Sequence, residues 1–321
     1  MLIYALMLVS AGDREFGGFS THTLVQAGAL YAPLVREGQV WRMLTAMFIH
    51  LNPLHILMNM IALLQVGPLL ERYFGRARFV LLYVVAGLGG SALSLAWHWT
   101  APIVAAGASG AISGLILAGA VVSHLIGTAQ ARSIRNSMLV WAGIVLAYGA
   151  SGNIDNSAHL GGMIAGAALA WLLGRRLVAA PAPDRGLGLE SALLGLLVAG
   201  SFALAAMNRD QVVFAGDLVN QGVEFSRANK PSDALPLYQR AVAMEPANAV
   251  AQFDLALTLL RLDRYPEAAA VAERAAALDP QNANAFSVWA AALEQQGKTA
   301  AAAAVRARAP VTTPTPNPNV Q

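Results

Sequence analysis

Ala108-Ser-Gly-Ala-Ile-Ser-Gly-Leu-Ile-Leu-Ala-Gly-Ala-Val-Val-Ser-His-Leu-Ile126 runs nineteen residues without an Asp, Glu, Lys or Arg. As a helix rising about 1.5 Å per residue it covers roughly 28 Å, the thickness of a bilayer's hydrocarbon core. Similar apolar runs lie on both sides of it: Leu54–Leu70, Phe79–Trp99, Met138–Ala150, Ser157–Leu173 and Leu189–Met207. The Met138 run is the weakest. Six spans are expected, preceded by Met1–Ser10, which is apolar but covers only half a membrane. It lacks the basic start and small-residue cleavage site of a signal peptide, and it reads as a truncated first helix from a misplaced start.

Composition agrees with this reading. The 321 residues are 56% apolar and only 12% charged, about half the charged share of a soluble domain. From Met43 to Gln130 the only formally charged residues are Glu71, Arg72, Arg76 and Arg78. From Asp210 to Arg308 there are twenty, so a membrane part precedes a soluble one. The absence of cysteine excludes disulfides, thiolate metal sites and Cys nucleophiles. The net charge of +3 is small, and the arginines gather in short inter-helix loops. That distribution is a topology signal and excludes a nucleic-acid surface.

Arg72, Arg76 and Arg78 follow the first full span. Arg132 and Arg135 follow the third, and Arg175, Arg176 and Arg185 the fifth. These loops are expected in the cytoplasm. The alternate loops carry only Asp155 and face outside, as does the long segment from Ala11 to Arg42. After a sixth crossing the chain emerges on the outer side.

Beyond Asn208 the pattern becomes that of soluble amphipathic helices. Pro246 and Pro280 stand 34 residues apart, and Ala234/Ala268, Arg240/Arg274 and Ala241/Ala275 keep the same interval. A 34-residue helix–turn–helix period resembles the tetratricopeptide repeat. A third, degenerate unit runs from about Asn282 to Ala309. The Pro-, Thr- and Asn-rich tail 310–321 is expected to be disordered.

Polar groups inside spans are costly and mark function. Ser109 opens one span, His159 opens another, and His55 and Asn59 share one face of a third. At helical rise all four lie roughly 3–10 Å below the outer boundary. Gly110 and Gly114 beside Ser109, and Gly162 and Gly166 on the face of His159, allow close backbone approach. His159 can then take the Ser109 proton, while His55 and Asn59 donate to an oxyanion. Asp155 is read as a solvated loop carboxylate and not as a third catalytic member. His98, between Trp97 and Trp99, is read as part of an interfacial aromatic belt.

With these residues in order, the stretch from Gly38 to Leu173 resembles a rhomboid-family intramembrane serine protease. The matching segments are Trp41-Arg42, His50, His55-Ile-Leu-Met-Asn59, Glu71-Arg-Tyr-Phe-Gly75, Gly107-Ala-Ser-Gly110 and Ala158-His159-Leu-Gly-Gly162 with Gly166. The resemblance implies Ser109 as nucleophile and His159 as general base. It implies an oxyanion hole of His55, Asn59 and the Ser109 backbone N–H. It gives Trp41-Arg42 and Glu71 structural roles. One departure is Ser113, where the family often has an aromatic residue stacked on the catalytic histidine. The imidazole is then held less rigidly or covered by another side chain.

The expected fold is all-α: a polytopic transmembrane bundle (1–207) followed by a helical-repeat domain (211–309). The expected activity is serine endopeptidase cleavage in or near the transmembrane segments of membrane-protein substrates. Its surroundings are the lipid bilayer of a bacterial inner membrane, with the active site and repeats on the outer side and a protein partner on the repeats. No metal or other cofactor is expected, since His55 and His159 lack carboxylate or Cys partners at ligand spacing. Retention of both Ser109 and His159 argues against an inactive, client-binding relative. A transporter would show inverted repeats and a mid-membrane site, and neither is visible.

Overall fold

The computed structural model describes residues 2–10, 14–15, 18–150, 154–179 and 189–310. The chain divides into two compact units, Met1–Val212 and Val213–Gln321.

The first unit opens with α1 (Leu2–Ser10), then β1 (Arg14–Glu15) paired antiparallel with β2 (Gly18–Phe19). The long first loop folds into α2 (Thr21–Ala27), β3 (Leu30–Tyr31), α3 (Ala32–Arg36) and α4 (Arg42–Thr45). The long helices follow: α5 (Pro53–Phe74), α6 (Arg76–Trp97), α7 (Ser109–Ile126), α8 (Ala129–Ala150), α9 (Asn156–Ala179) and α10 (Leu189–Met207). Between α6 and α7, β4 (Val104–Ala105) pairs antiparallel with β3, with Leu30 opposite Ala105 and Tyr31 opposite Val104.

Among the described residues, α5, α6, α7 and the Asn156–Arg175 part of α9 are long and apolar enough to cross a membrane. That is four helices where six spans were expected. The run at Met138–Ala150 belongs to the longer α8, whose first half carries Arg132, Ser133, Arg135, Asn136 and Ser137 and is too polar to qualify. In α10 the apolar stretch Ala192–Met207 is shorter than the four. Arg185 and residues 311–321 of the tail lie outside the described residues.

The first loop is tied by one buried cation. Arg42 is 1% exposed. Its Nη1 donates to the carbonyls of Val25 (2.6 Å) and Ala29 (3.1 Å), and its Nε donates to Gln39 Oε1 (2.8 Å). The Thr45 hydroxyl donates to the Gly28 carbonyl at 2.5 Å. Gly28 ends α2 at φ +106°, in the left-handed region that favours glycine. The short α1 belongs to this layer: Tyr4 and Met7 pack with Phe19, Leu24, Ala29, Ile49 and Ile56.

At the centre of the bundle, α7 contacts α5, α6, α8 and α9. Leu70, Phe74, Leu82, Leu115 and Met163 form its core. Lipid is as apolar as leucine, so helix association in a bilayer depends on close van der Waals contact rather than on the hydrophobic effect. Glycines supply that contact. A Cβ added at Gly162 would stand 2.0 Å from the Gly110 carbonyl oxygen, one at Gly166 2.4 Å from that of Gly114, and one at Gly161 2.4 Å from that of Gly89.

The second unit is three helical hairpins: α11 (Ala215–Arg227) with α12 (Pro231–Met244), α13 (Ala249–Arg261) with α14 (Tyr265–Leu278), and α15 (Ala283–Gln295) with α16 (Thr299–Arg308). Each first helix starts 34 residues after the last one, and so does each second helix. The turn inside each hairpin has a positive φ at Asn229 (57°), Asp263 (58°) and Gly297 (73°), residue types that tolerate the left-handed region. Buried alanines line the helix contacts, among them Ala241, Ala256, Ala268, Ala275 and Ala290. In the first hairpin Gly222 makes room for Tyr238, whose ring a Cβ at Gly222 would approach to 2.7 Å.

Candidate active site

Ser109 is the first residue of α7, and Ala108 before it provides no side-chain cap. The first N–H groups of a helix have no intrahelical acceptor and carry its positive end, so Ser109 sits where an anion is stabilised. Its approach is held from two sides. The β3–β4 ladder clamps Val104–Ala105 to the first loop, and the Gly107 N–H donates to the Ala46 carbonyl at 2.9 Å. Gly107 has φ +137° and faces His55: a Cβ there would lie 2.6 Å from His55 Cε1, 2.8 Å from its Nε2 and 3.7 Å from Ser109 Oγ. The His55 ring and the Ser109 hydroxyl thus converge on one point.

α5 begins at Pro53 with Asn52 as its cap, the Asn52 Oδ1 accepting from the His55 N–H at 2.8 Å. The Leu51 N–H donates to His55 Nδ1 at 3.5 Å, which leaves the ring proton on Nε2, facing the site. One turn on, Asn59 is 6% exposed, and its Nδ2 donates to the His55 carbonyl at 2.8 Å. One of its amide hydrogens is used within the helix and the other is left. His50 lies behind His55, with ring centroids 5.3 Å apart. Burial, then the neighbouring His55, push His50 down to about 4, so it is neutral at physiological pH.

His159 lies four residues into α9 and is 5% exposed. Ala158 before it presses against the residue after Ser109: a Cβ at Gly110 would stand 3.2 Å from the Ala158 carbonyl oxygen. The helices carrying Ser109 and His159 therefore meet backbone to backbone at the two residues. His159 is within electrostatic reach of His55 and Asp155. No hydrogen bond joins the Ser109 and His159 side chains in this conformation, and among the described residues His159 Nδ1 is buried without a partner. Such bonds are often long in substrate-free sites and tighten when substrate binds.

Asp155, read from the sequence as a solvated loop carboxylate, is half-buried and hydrogen-bonded on both oxygens. One carboxylate oxygen accepts from the N–H groups of Ser157 (3.0 Å) and Ala158 (3.1 Å) and from the Ser157 hydroxyl. The other accepts from the Ser94 hydroxyl of α6. Asp155 caps α9, and its carboxylate makes no bond to the imidazole. The capping signal, an Asp just before an apolar helix, was present in the sequence. Asn156 bridges in the other direction, its Nδ2 donating to the Leu146 carbonyl of α8 at 3.0 Å. Ser113, four residues after Ser109 on α7, is 1% exposed.

Residues 37–176 match the family model of the rhomboid domain, and residues 219–283 match that of a tetratricopeptide repeat. The chain carries a rhomboid domain. Over 283 residues it is 31% identical to rhomboid protease GluP of Bacillus subtilis, an alignment covering 88% of this chain and 53% of that protein. RHOMBOID-like protein 5 of Arabidopsis thaliana is 39% identical over 160 residues, covering 49% of this chain and 51% of the relative. Rhomboid-like protease 1 of Toxoplasma gondii is 33% identical over 165 residues, covering 49% and 55%. The chain spans about half the length of the curated relatives it matches. It is a multi-pass membrane protein with a rhomboid domain followed by helical repeats. Within the rhomboid domain, Arg42 ties the first loop, and Glu71 forms an exposed ion pair with Arg76 at 3.2 Å at the far end of α5. Arg42 does structural work. Trp97 and Trp99 flank His98 at the end of α6 and are 76% and 50% exposed, as side chains at a membrane interface are.

Proposed function

We propose that this protein is an intramembrane serine endopeptidase that hydrolyses peptide bonds in or near the transmembrane segments of membrane proteins. The observation that carries the reading is the backbone contact of Gly110 with Ala158, which brings the neighbours of Ser109 and His159 together. The His55 ring meets the same point as the Ser109 hydroxyl.

In this reading the Ser109 Oγ–H passes its proton to His159 as Oγ attacks the scissile carbonyl carbon. Negative charge moves to the carbonyl oxygen. The Ser109 N–H at the start of α7, the His55 Nε2–H and the free Asn59 amide hydrogen stabilise it. His159 then gives its proton to the leaving amine as the C–N bond breaks. Water, deprotonated by His159, hydrolyses the acyl-enzyme and restores Ser109. The peptide bonds of a spanning helix are hydrogen-bonded and dry, so the substrate unwinds before it is cut. Small or helix-breaking residues at the cleavage point favour this.

The arginine loops argue that the site opens on the outer side of the membrane and that the repeats lie on that side, available to a protein partner. Alkaline phosphatase fused after Arg209 is expected to be active, and an inactive fusion assigns the repeats to the cytoplasm.

The chemistry is tested by labelling with a serine-directed fluorophosphonate and by cleavage of a single-pass substrate in liposomes. Ser109→Ala is expected to lose both signals and His159→Ala to lose cleavage, with folding intact. Undiminished cleavage by Ser109→Ala refutes the mechanism.

A further inference from the structure

We infer that Asp155 and Ser94 form a register lock, a pair of positioning residues that set the height of His159 relative to Ser109. The inference rests on the dyad reading above.

The need for a lock follows from how α9 packs. Beside His159 its inner face is mostly bare backbone, with Met163 buried among the glycines. Gly161 lies against Gly89 and Leu93 of α6, Gly162 against Gly110 of α7, and Gly166 against Gly114 of α7. Small residues let helices approach closely, but they interpose few side chains that resist sliding along the helix axis. A slip of one residue is about 1.5 Å. Displacement on the order of 1 Å costs about 100-fold in rate when a reacting group is involved. Near His159, where the glycines lie, a polar tie adds the axial restraint that small residues do not supply.

The polar tie sits where it has the most leverage, one helical turn before His159. Ser94 is 1% exposed on α6, and its hydroxyl donates to one oxygen of Asp155. The second oxygen takes the Ser157 and Ala158 N–H groups and the Ser157 hydroxyl. One carboxylate therefore joins α6 to the first turn of α9. The α6 side is braced, because the Ser94 carbonyl accepts from the His98 N–H at 3.0 Å and lies 3.2 Å from His98 Nδ1. The Asp155 backbone joins in as well: its carbonyl accepts from the His159 N–H at 3.4 Å. The carboxylate makes no bond to the imidazole, so it acts on position and not as a third member of a catalytic triad.

The test uses the full-length protein in liposomes and the variants Asp155→Ala, Asp155→Asn, Ser94→Ala and the double Asp155→Ala/Ser94→Ala. The readouts are kcat and KM for a single-pass substrate, the rate of fluorophosphonate labelling at Ser109, and the thermal midpoint. Asp155→Ala and Ser94→Ala are each expected to lower kcat about 10- to 100-fold with KM within about twofold, and to slow labelling in parallel. Asn keeps the cap acceptor and can still bond the Ser94 hydroxyl, so Asp155→Asn should hold most of the activity. The double variant should be no worse than Asp155→Ala alone, because both changes break one link. A fall in thermal midpoint with unchanged kcat overturns the inference and leaves a merely structural cap. Additive losses in the double variant also overturn it. Wild-type cleavage by Ser109→Ala refutes the dyad itself and removes the basis of the lock. An inactive Ser109→Ala beside fully active Asp155→Ala refutes the lock alone.

Discussion

Gly162→Ala adds one methyl group where the packing of α9 on α7 has no slack. The new Cβ would stand 2.0 Å from the Gly110 carbonyl oxygen, 2.7 Å from its carbon and 3.3 Å from the Ala86 carbonyl oxygen. The obstructing atoms are backbone and cannot rotate aside, so α7 and α9 must part by about 1.4 Å to restore ordinary contact. Gly110 follows Ser109 directly, and Gly162 lies three residues past His159, so most of that separation appears between the two side chains. A misplacement of this size costs on the order of 100-fold in kcat. Overpacking of this kind costs about 1–3 kcal/mol of stability. The assay is kcat for a single-pass substrate in liposomes, with the rate of serine-probe labelling and the thermal midpoint measured on the same samples. Gly143→Ala in α8 is the control, since a Cβ there meets nothing within 4 Å. Gly162→Ala retaining kcat within about threefold of wild type, in a folded protein, would refute the claim that backbone contact between α7 and α9 sets the site.

Other expectations follow from single contacts. Asn59→Ala is expected to lower kcat about 10- to 1000-fold, the range for loss of one oxyanion donor, with His55→Ala acting in the same direction. Changes confined to KM would reassign both residues to substrate binding. Arg42→Lys cannot bridge the carbonyls of Val25 and Ala29 together with Gln39. Each buried acceptor left unpaired costs about 1–3 kcal/mol, so the thermal midpoint should fall clearly, and an unchanged midpoint means that the first loop is held by other contacts. In the repeat unit, burial raises the Asp254 carboxyl to about 6. A raised acid pKa favours the folded state at low pH, and that contribution is lost as pH rises through about 6. Asp254→Asn should therefore slow hydrogen exchange in α13 of the full-length protein at pH 7–8 and leave it unchanged near pH 4, and the reverse pH dependence contradicts the burial argument.

Much of this architecture was legible in the chain itself. Runs such as Ala108–Ile126 and Ser157–Leu173 declare a membrane, because no buried or solvated alternative accommodates so many apolar residues with so little charge. The 34-residue interval from Pro246 to Pro280 exposes the hairpin period, since each unit repeats the same turn chemistry at Asn229, Asp263 and Gly297. Ser109, His159, His55 and Asn59 stand out because polar groups are expensive in a bilayer. The limits were equally physical. Helix ends depend on local capping that hydropathy does not weigh, and so the polar first half of α8 was missed. The role of Asp155 could not be read from its neighbours alone. Its capping of α9 is a local pattern, but its bond to Ser94 joins residues 61 positions apart in the chain. Likewise, only the fold shows that Gly107 borders both His55 and Ser109, that Arg42 gathers the carbonyls of Val25 and Ala29, and that Gly162 lies on Gly110. Sequence by itself determined what each segment must bury and which side chains can do chemistry, because those are properties of composition and period. Tertiary structure alone decided which of them meet, because contact between distant segments is set by the packing of whole helices.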